Sequence, residues 1–341
     1  MSSWTFLRRR SLATRAAAAA AALLLTAGLA ACGSGGGSAD AGGGGDAAAD
    51  TTTMGFAQVG AESGWRTANT ASIQESAAEA GIELQFSDAQ QRQENQIRAI
   101  RSFIQQQVDV IAFSPVVETG WDPVLQEARR AQIPVILTDR SVDSTDTSLY
   151  ATFLGSDFVL EGRQAGEWLV ENLAGNTAPV AVVQLEGTTG AAPAIDRAEG
   201  FAEAIASAPN IQVVATQTGD FTRSGGRQVM EAFLQSQPTI DVVYAHNDDM
   251  ALGAIEAIEA AGLVPGQDIT IISVDAVRDG MQALADGKIN FIVECNPLLG
   301  PQLMELARQV VAGEQVPPRV VTEETTFTQE QAVEALPTRQ Y

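Results

Sequence analysis

From Met54 onward two kinds of segment alternate along the chain. Short runs rich in Val and Ile come first: MGFAQV, IELQF, VDVIAF, PVILTD and YATFLG. Runs of this length and composition are read as buried strands. Between them lie helix-length stretches with apolar residues at helical spacing. In QENQIRAIRSFIQQQ, Ile97, Ile100 and Ile104 share one face. A second set follows, VAVVQLEG, IQVVATQTG, DVVYAHN, ITIISVDA and NFIVEC. Helices again intervene, among them DMALGAIEAIEAAG, which Gly262 closes as a C-terminal cap residue. Strict alternation predicts a parallel sheet with helices on both faces. The repeating part is about 290 residues, more than one core usually serves. The expected fold class is therefore α/β, with two doubly wound parallel-sheet domains. Their joint is expected near Gly155–Phe158.

The first fifty residues break this pattern. Arg8, Arg9, Arg10 and Arg15 precede an apolar run over 16–27, and small residues follow. That order describes an export signal over 1–31, and the run is too short for a permanent membrane span. The arginines also match a twin-arginine signal weakly. The LAAC at 29–32 resembles the lipobox of bacterial lipoproteins, which implies lipidation of Cys32. Residues 32–51, mostly Gly, Ala, Ser and Asp, have no apolar periodicity and are expected to form a flexible tether. The expected location is extracytoplasmic, with the lipid holding the protein at the cell membrane.

Composition narrows the function classes. The formal net charge is −22, and the only lysine is Lys288. Removing residues 1–31 takes away four arginines and no acid, so the remainder is more acidic still. Nucleic-acid binding rests on neutralising phosphate, so no nucleic-acid partner is expected. With Cys32 lipidated, Cys295 alone remains. That excludes an intramolecular disulfide and a cysteine zinc site, and Cys295 reads as a small apolar strand residue. The single histidine, His246, has no second histidine to share a metal with, so it reads as a buried supporting residue. No metal, no calcium loop and no cofactor is expected. There is no G-x-S-x-G elbow and no G-x-G-x-x-G after a strand. The chain is therefore expected not to be an enzyme.

The unusual polar clusters fall directly after strands: GAESGWR, SPVVETGW and TDR in the first set, then EGTTGAAPAIDR, TGDFTR, AHNDD and SVDAVRD in the second. Ligands of open α/β sheets bind at the carboxyl ends of strands, so two sheets facing each other would form a cleft lined by these groups. Trp65, Arg66, Asp139, Arg140, Arg197, Phe221, Asn247, Asp275 and Glu294 make a sugar-complementary set. Carboxylates and amides accept from adjacent hydroxyls, guanidinium groups donate a two-pronged fork, and aromatic rings cover the C–H face. Each also has an ordinary reading as core, cap or ion-pair partner. Asp248 is read mainly as the cap of the helix that starts there. A carboxylate pair such as Asp139 with Asp275 leaves glycoside hydrolysis open. Against it, neighbouring arginines are expected to hold those acids ionised.

On these segments the chain resembles the type I periplasmic sugar-binding proteins, the ribose- and galactose-binding class of ABC-importer receptors. GFAQVGAESGWR, IPVILTDRSVD, AIDRAEGFAEAI, TGDFTRS and VYAHNDDMALGAI look especially like the galactofuranose-binding branch. The resemblance implies an N-terminal domain of 52–156 plus 296–323 and a C-terminal domain of 157–295 plus 324–341. Three hinge crossovers are implied, near Ser156, Cys295 and Glu323. It implies that Glu62, Trp65, Arg66, Asp139 and Arg140 bind ligand from one side. Arg197, Phe221, Asn247 and Asp275 would bind from the other, and Glu294 would lie at the second hinge strand. Ala276 stands where the family commonly has glycine. The implied function is capture of a monosaccharide, such as galactofuranose, by hinge closure. The implied partners are an ABC permease with its ATPase, and the protein is expected to be monomeric. A receptor presenting its sugar to a membrane sensor, and an extracellular glycosidase, stay open as alternatives.

Overall fold

The computed structural model describes residues 51–341. The expected signal, the tether and Cys32 lie outside the described residues. The first set of units comprises β1 (Thr53–Gln58), α1 (Gly64–Ala80), β2 (Glu83–Asp88), α2 (Gln93–Gln106), β3 (Val110–Phe113), α3 (Asp122–Arg130), β4 (Val135–Thr138) and β5 (Thr152–Gly155). The second comprises α4 (Phe158–Asn172), β6 (Val180–Glu186), α5 (Ala192–Ile205), β7 (Ile211–Thr218), α6 (Arg223–Ser236), β8 (Val242–Ala245), α7 (Asp248–Ala260), β9 (Thr270–Asp275), α8 (Arg278–Ala285) and β10 (Phe291–Glu294). The chain ends with α9 (Gly300–Val311), β11 (Arg319–Val321), β12 (Thr326–Phe327) and α10 (Gln329–Ala335).

Two six-stranded sheets result, ordered β11-β5-β4-β3-β1-β2 and β12-β10-β9-β8-β6-β7. All the pairings between strands are parallel except β10 with β12. The ten strands read from periodicity are all present. The two short ones, β11 and β12, are additions at the sheet edges. In each sheet the order reverses around the first strand of its set, which opens a crevice at the strand carboxyl ends.

The chain passes between the sheets three times, after β5, after β10 and between β11 and β12. After the second passage α9 returns to the first lobe, where Leu303, Met304 and Ala307 pack against Met54, Phe56, Ile73 and Ala77. The three passages are tied by one carboxylate. Glu324 Oε1 accepts from the Ser156 hydroxyl, from the Asn296 N–H at 2.9 Å and from the Thr322 hydroxyl at 2.9 Å. Among the described residues, no helix is long and apolar enough to cross a membrane.

Candidate functional site: a cavity between the lobes

Most of the side chains that point into the crevice sit at or just beyond the carboxyl end of a strand. Asp139 and Arg140 follow β4, Asn247 follows β8, and Asp275 ends β9. Glu62 and Trp65 come from the turn after β1 and the start of α1, Arg197 from α5, and Phe221 from the turn after β7. With Ser63, Arg66, Pro193 and Cys295 they line one cavity between the lobes.

The first-lobe wall is a buried charge network. Glu62 Oε1 accepts from Arg66 Nε at 3.2 Å and Arg140 Nη2 at 3.0 Å. Asp139 Oδ2 accepts from Arg66 Nη2 at 2.5 Å and the Ser114 hydroxyl at 3.0 Å. Burial pulls the Arg66 guanidinium down, but Asp139 and Glu62 outweigh it and leave it raised. Arg140 is lowered, by burial first and then by the charge of Arg66. The network holds both forks rigidly, as bidentate recognition requires.

The second-lobe wall is built differently. Arg197 Nε donates to Glu161 Oε2 at 2.6 Å, its Nη1 donates to the His246 carbonyl at 2.6 Å, and its Nη2 is 4.0 Å from Asp275 Oδ1. Burial raises the Glu161 carboxyl to about 8 against the pull of Arg197. Asp275 is raised well above the usual carboxylate range, by burial first. The expectation that neighbouring arginines hold both acids ionised is corrected here for Asp275: its arginine is committed to Glu161 and cannot offset desolvation.

The two walls meet across the crevice. Trp65 Nε1 donates to the Cys295 carbonyl at 2.6 Å, and its ring joins the second-lobe core with Phe158 and Val277. Gly64 N–H donates to Asp249 Oδ2 at 2.7 Å, and Glu118 N–H to the Gly190 carbonyl at 2.9 Å. The Arg140 guanidinium lies 5.1 Å from the centroid of the Phe221 ring. Among the described residues, three polar atoms in the cavity wall are buried without a protein hydrogen-bond partner: Glu62 Oε2, Arg140 Nε and Asp275 Oδ2. Unmet groups of this kind are costly unless something pairs with them.

Nine of the ten residues expected at the site from sequence line this cavity; Glu294 does not. Its carboxylate is turned away to Arg339 Nη1 at 2.7 Å and the Tyr341 hydroxyl at 2.9 Å. The helix cap is also corrected. Asn247, not Asp248, caps α7, its Oδ1 accepting from Met250 N–H at 3.0 Å while its Nδ2 donates to the Phe221 carbonyl at 3.1 Å. Asp248 faces β9 instead, accepting from the Ser273 hydroxyl at 2.6 Å and Val277 N–H at 2.8 Å. His246 is fully buried, with Nε2 3.0 Å from Gln184 Nε2, and burial holds it well below its ordinary range.

Ser63, Pro193 and Cys295 were not singled out as site residues in the sequence, nor was Glu161 as the partner of Arg197. Position directly after β10 was an available signal for Cys295; nothing local marks the others. Among the described residues, Glu161, Cys295 and Glu324 are the one group with metal-compatible spacing. Glu161 is already bound to Arg197, and Glu324 accepts three protein donors.

Comparisons with known proteins bear on the fold and the family. A family model described as periplasmic binding protein domain matches residues 54–315. The chain is 49% identical over 288 residues to the galactofuranose-binding protein YtfQ of Escherichia coli (strain K12), covering 83% of this chain and 90% of that protein. A solved structure from Mycobacterium smegmatis in complex with β-D-fucofuranose is 69% identical, with a TM-score of 0.84 over 85% of this chain and 96% of that one. The binding protein of the arabinose ABC transporter from Shewanella sp. ANA-3, bound to α- and β-L-arabinofuranose, is 48% identical, with a TM-score of 0.82 over 85% and 96%.

Proposed function

The chain belongs to the periplasmic binding protein family, and from that premise we infer that it captures a monosaccharide in furanose form between its two lobes. The observation that carries this reading is the set of unmet polar atoms, Glu62 Oε2, Arg140 Nε and Asp275 Oδ2, in one cavity walled by Phe221 and Trp65. Ring hydroxyls both donate and accept, so one small polyol meets a carboxylate, a guanidinium and a second carboxyl at once. The relatives named above are described with galactofuranose, β-D-fucofuranose and L-arabinofuranose, which supports a five-membered ring as the shared feature.

The mechanism follows from where the groups sit. Each lobe carries part of the wall, so the ligand meets all its partners only when the lobes are together. Binding therefore shifts the population toward closure. The three passages tied by Glu324 act as the hinge. The domains then run as 52–156 plus 296–323 and 157–295 plus 324–341. The closed form delivers its sugar to an ABC permease with its ATPase. Lipidation at Cys32 keeps it at the membrane surface, which raises its effective concentration there.

A second reading, an extracellular glycosidase, draws on Asp275, whose buried carboxyl is raised as a general acid's would be. The binding reading expects no turnover of aryl furanosides. Calorimetric titration with D-galactose, D-fucose and L-arabinose tests the function: saturable binding of one sugar per chain is expected, and flat isotherms with all three would contradict it.

A further inference from the structure

The loop that brings Asp275 into the cavity is strained, and it is clamped from outside the cavity. Asp275 and Ala276 have φ of 120° and 65°, values at which a side chain crowds its own backbone. Both are buried. On one side Asp248 holds the Val277 N–H. On the other, Arg339 Nε donates to the Ala276 carbonyl at 2.7 Å.

Arg339 is itself held firmly. Its Nη1 donates to Glu294 Oε1 at 2.7 Å, and its guanidinium lies 4.1 Å from the Tyr341 ring centroid and 5.3 Å from that of Phe327. The Tyr341 hydroxyl donates to the same Glu294 oxygen at 2.9 Å, while the Tyr341 carbonyl accepts from Arg278 N–H at 2.7 Å. The segment 339–341 thus lies as a strap over the ends of β9 and β10 and the start of α8. Arg339 is not part of the cavity lining. Its fork reaches a carbonyl through Nε and a carboxylate through Nη1, which a lysine ammonium on one stem does not reproduce.

We propose that Arg339 is a positioning residue for ligand binding: anchored on Glu294 and Tyr341, it holds the Ala276 carbonyl and so sets the Asp275 carboxyl where the ligand meets it. This rests on reading the cavity as the sugar site. It also gives Glu294 its role, as the anchor of the strap.

The test titrates wild type, Arg339→Ala, Ala276→Gly and the double variant with D-galactose, D-fucose and L-arabinose, and records sugar-free melting temperatures. Glycine adopts a left-handed φ without steric cost, so at 276 it keeps the turn without the strap. Arg339→Ala is expected to weaken binding roughly tenfold, the left-handed penalty expressed as affinity. Ala276→Gly alone should change affinity by less than about threefold, and in the double variant it should restore most of the loss. If Arg339→Ala does not fold, Glu294→Gln loosens the same strap and should show the same loss and the same rescue. Unchanged affinity without the strap, or a loss that glycine does not restore, overturns the proposal. A wild-type chain that binds none of the three sugars removes the reading of the cavity, and the proposal with it.

Discussion

Phe221 covers the apolar side of the cavity because residue 187 has no side chain. A Cβ on Gly187 would lie 1.8 Å from Phe221 Cζ. Phe221 itself has φ of 60° and shares its carbonyl with Asn247, so the ring cannot retreat far. Gly187→Ala should therefore push the ring into the sugar site. The expected loss of affinity is at least about tenfold, since overpacking costs ~1–3 kcal/mol. Sugar titration of the variant checks it, and unchanged affinity would mean that Phe221 is not part of the binding wall. At this scale much was legible. Residue type and position after a strand were enough to single out Asp139, Arg140, Asn247 and Asp275. Glu294 passed the same test, yet its partners Arg339 and Tyr341 come from a distant segment with no strand or motif to announce it. Asn247 and Asp248 are both favoured at helix starts, and only the place of Ser273 on β9 decides which of them caps.

Elements set how deep each group sits. Helices α4 and α5 touch backbone to backbone at their glycines. A Cβ on Gly200 would lie 2.0 Å from the Val159 carbonyl oxygen, and one on Gly162 2.2 Å from that of Arg197. This close approach lets Glu161 on α4 reach Arg197 on α5. Gly200→Ala should pry the pair apart and destabilise the fold by about 1–3 kcal/mol. It should also weaken sugar binding by displacing Arg197. Chemical denaturation with a sugar titration on the same sample checks both, and an unperturbed variant would show that the helices have room to spare. The strands were legible because buried parallel strands read as continuous Val/Ile runs. β11 and β12, of three and two residues, are too short to have a period. They form because the sheets offer open edges where the chain crosses between them.

For the whole molecule, several carboxyls are raised by burial above their ordinary values: Glu161 to about 8, Asp248 to about 7 and Asp196 to about 6. In the unfolded chain the same groups titrate near the ordinary values of a glutamate, 4.5, and an aspartate, 3.8. Their contribution is thus fully present below about pH 4 and is lost as pH rises through about 6 to 8. The chain's net charge of −22 adds self-repulsion in the same direction. The sugar-free melting temperature should be higher at pH 5.5 than at pH 8.0 by about 3 °C or more, the shift that ~1 kcal/mol produces in a chain of this size. A higher melting temperature at pH 8.0 would contradict the assignment of these buried acids.

The plan of two sheets was readable from the alternation, its two sets of strands and the length of the repeating part. The way the lobes meet was not, because contacts such as Trp65 with the Cys295 carbonyl join positions 230 residues apart. The central claim, that groups from both lobes bind one furanose sugar, is tested most directly by calorimetric titration of wild type beside Arg140→Ala. Wild type should bind D-galactose, D-fucose or L-arabinose saturably, one per chain. Losing the Arg140 fork removes one of the two arginines that hold Glu62, together with the ligand's own donor, and should weaken that binding a hundredfold or more, about 3 kcal/mol. Equal affinity in the two proteins would contradict the site.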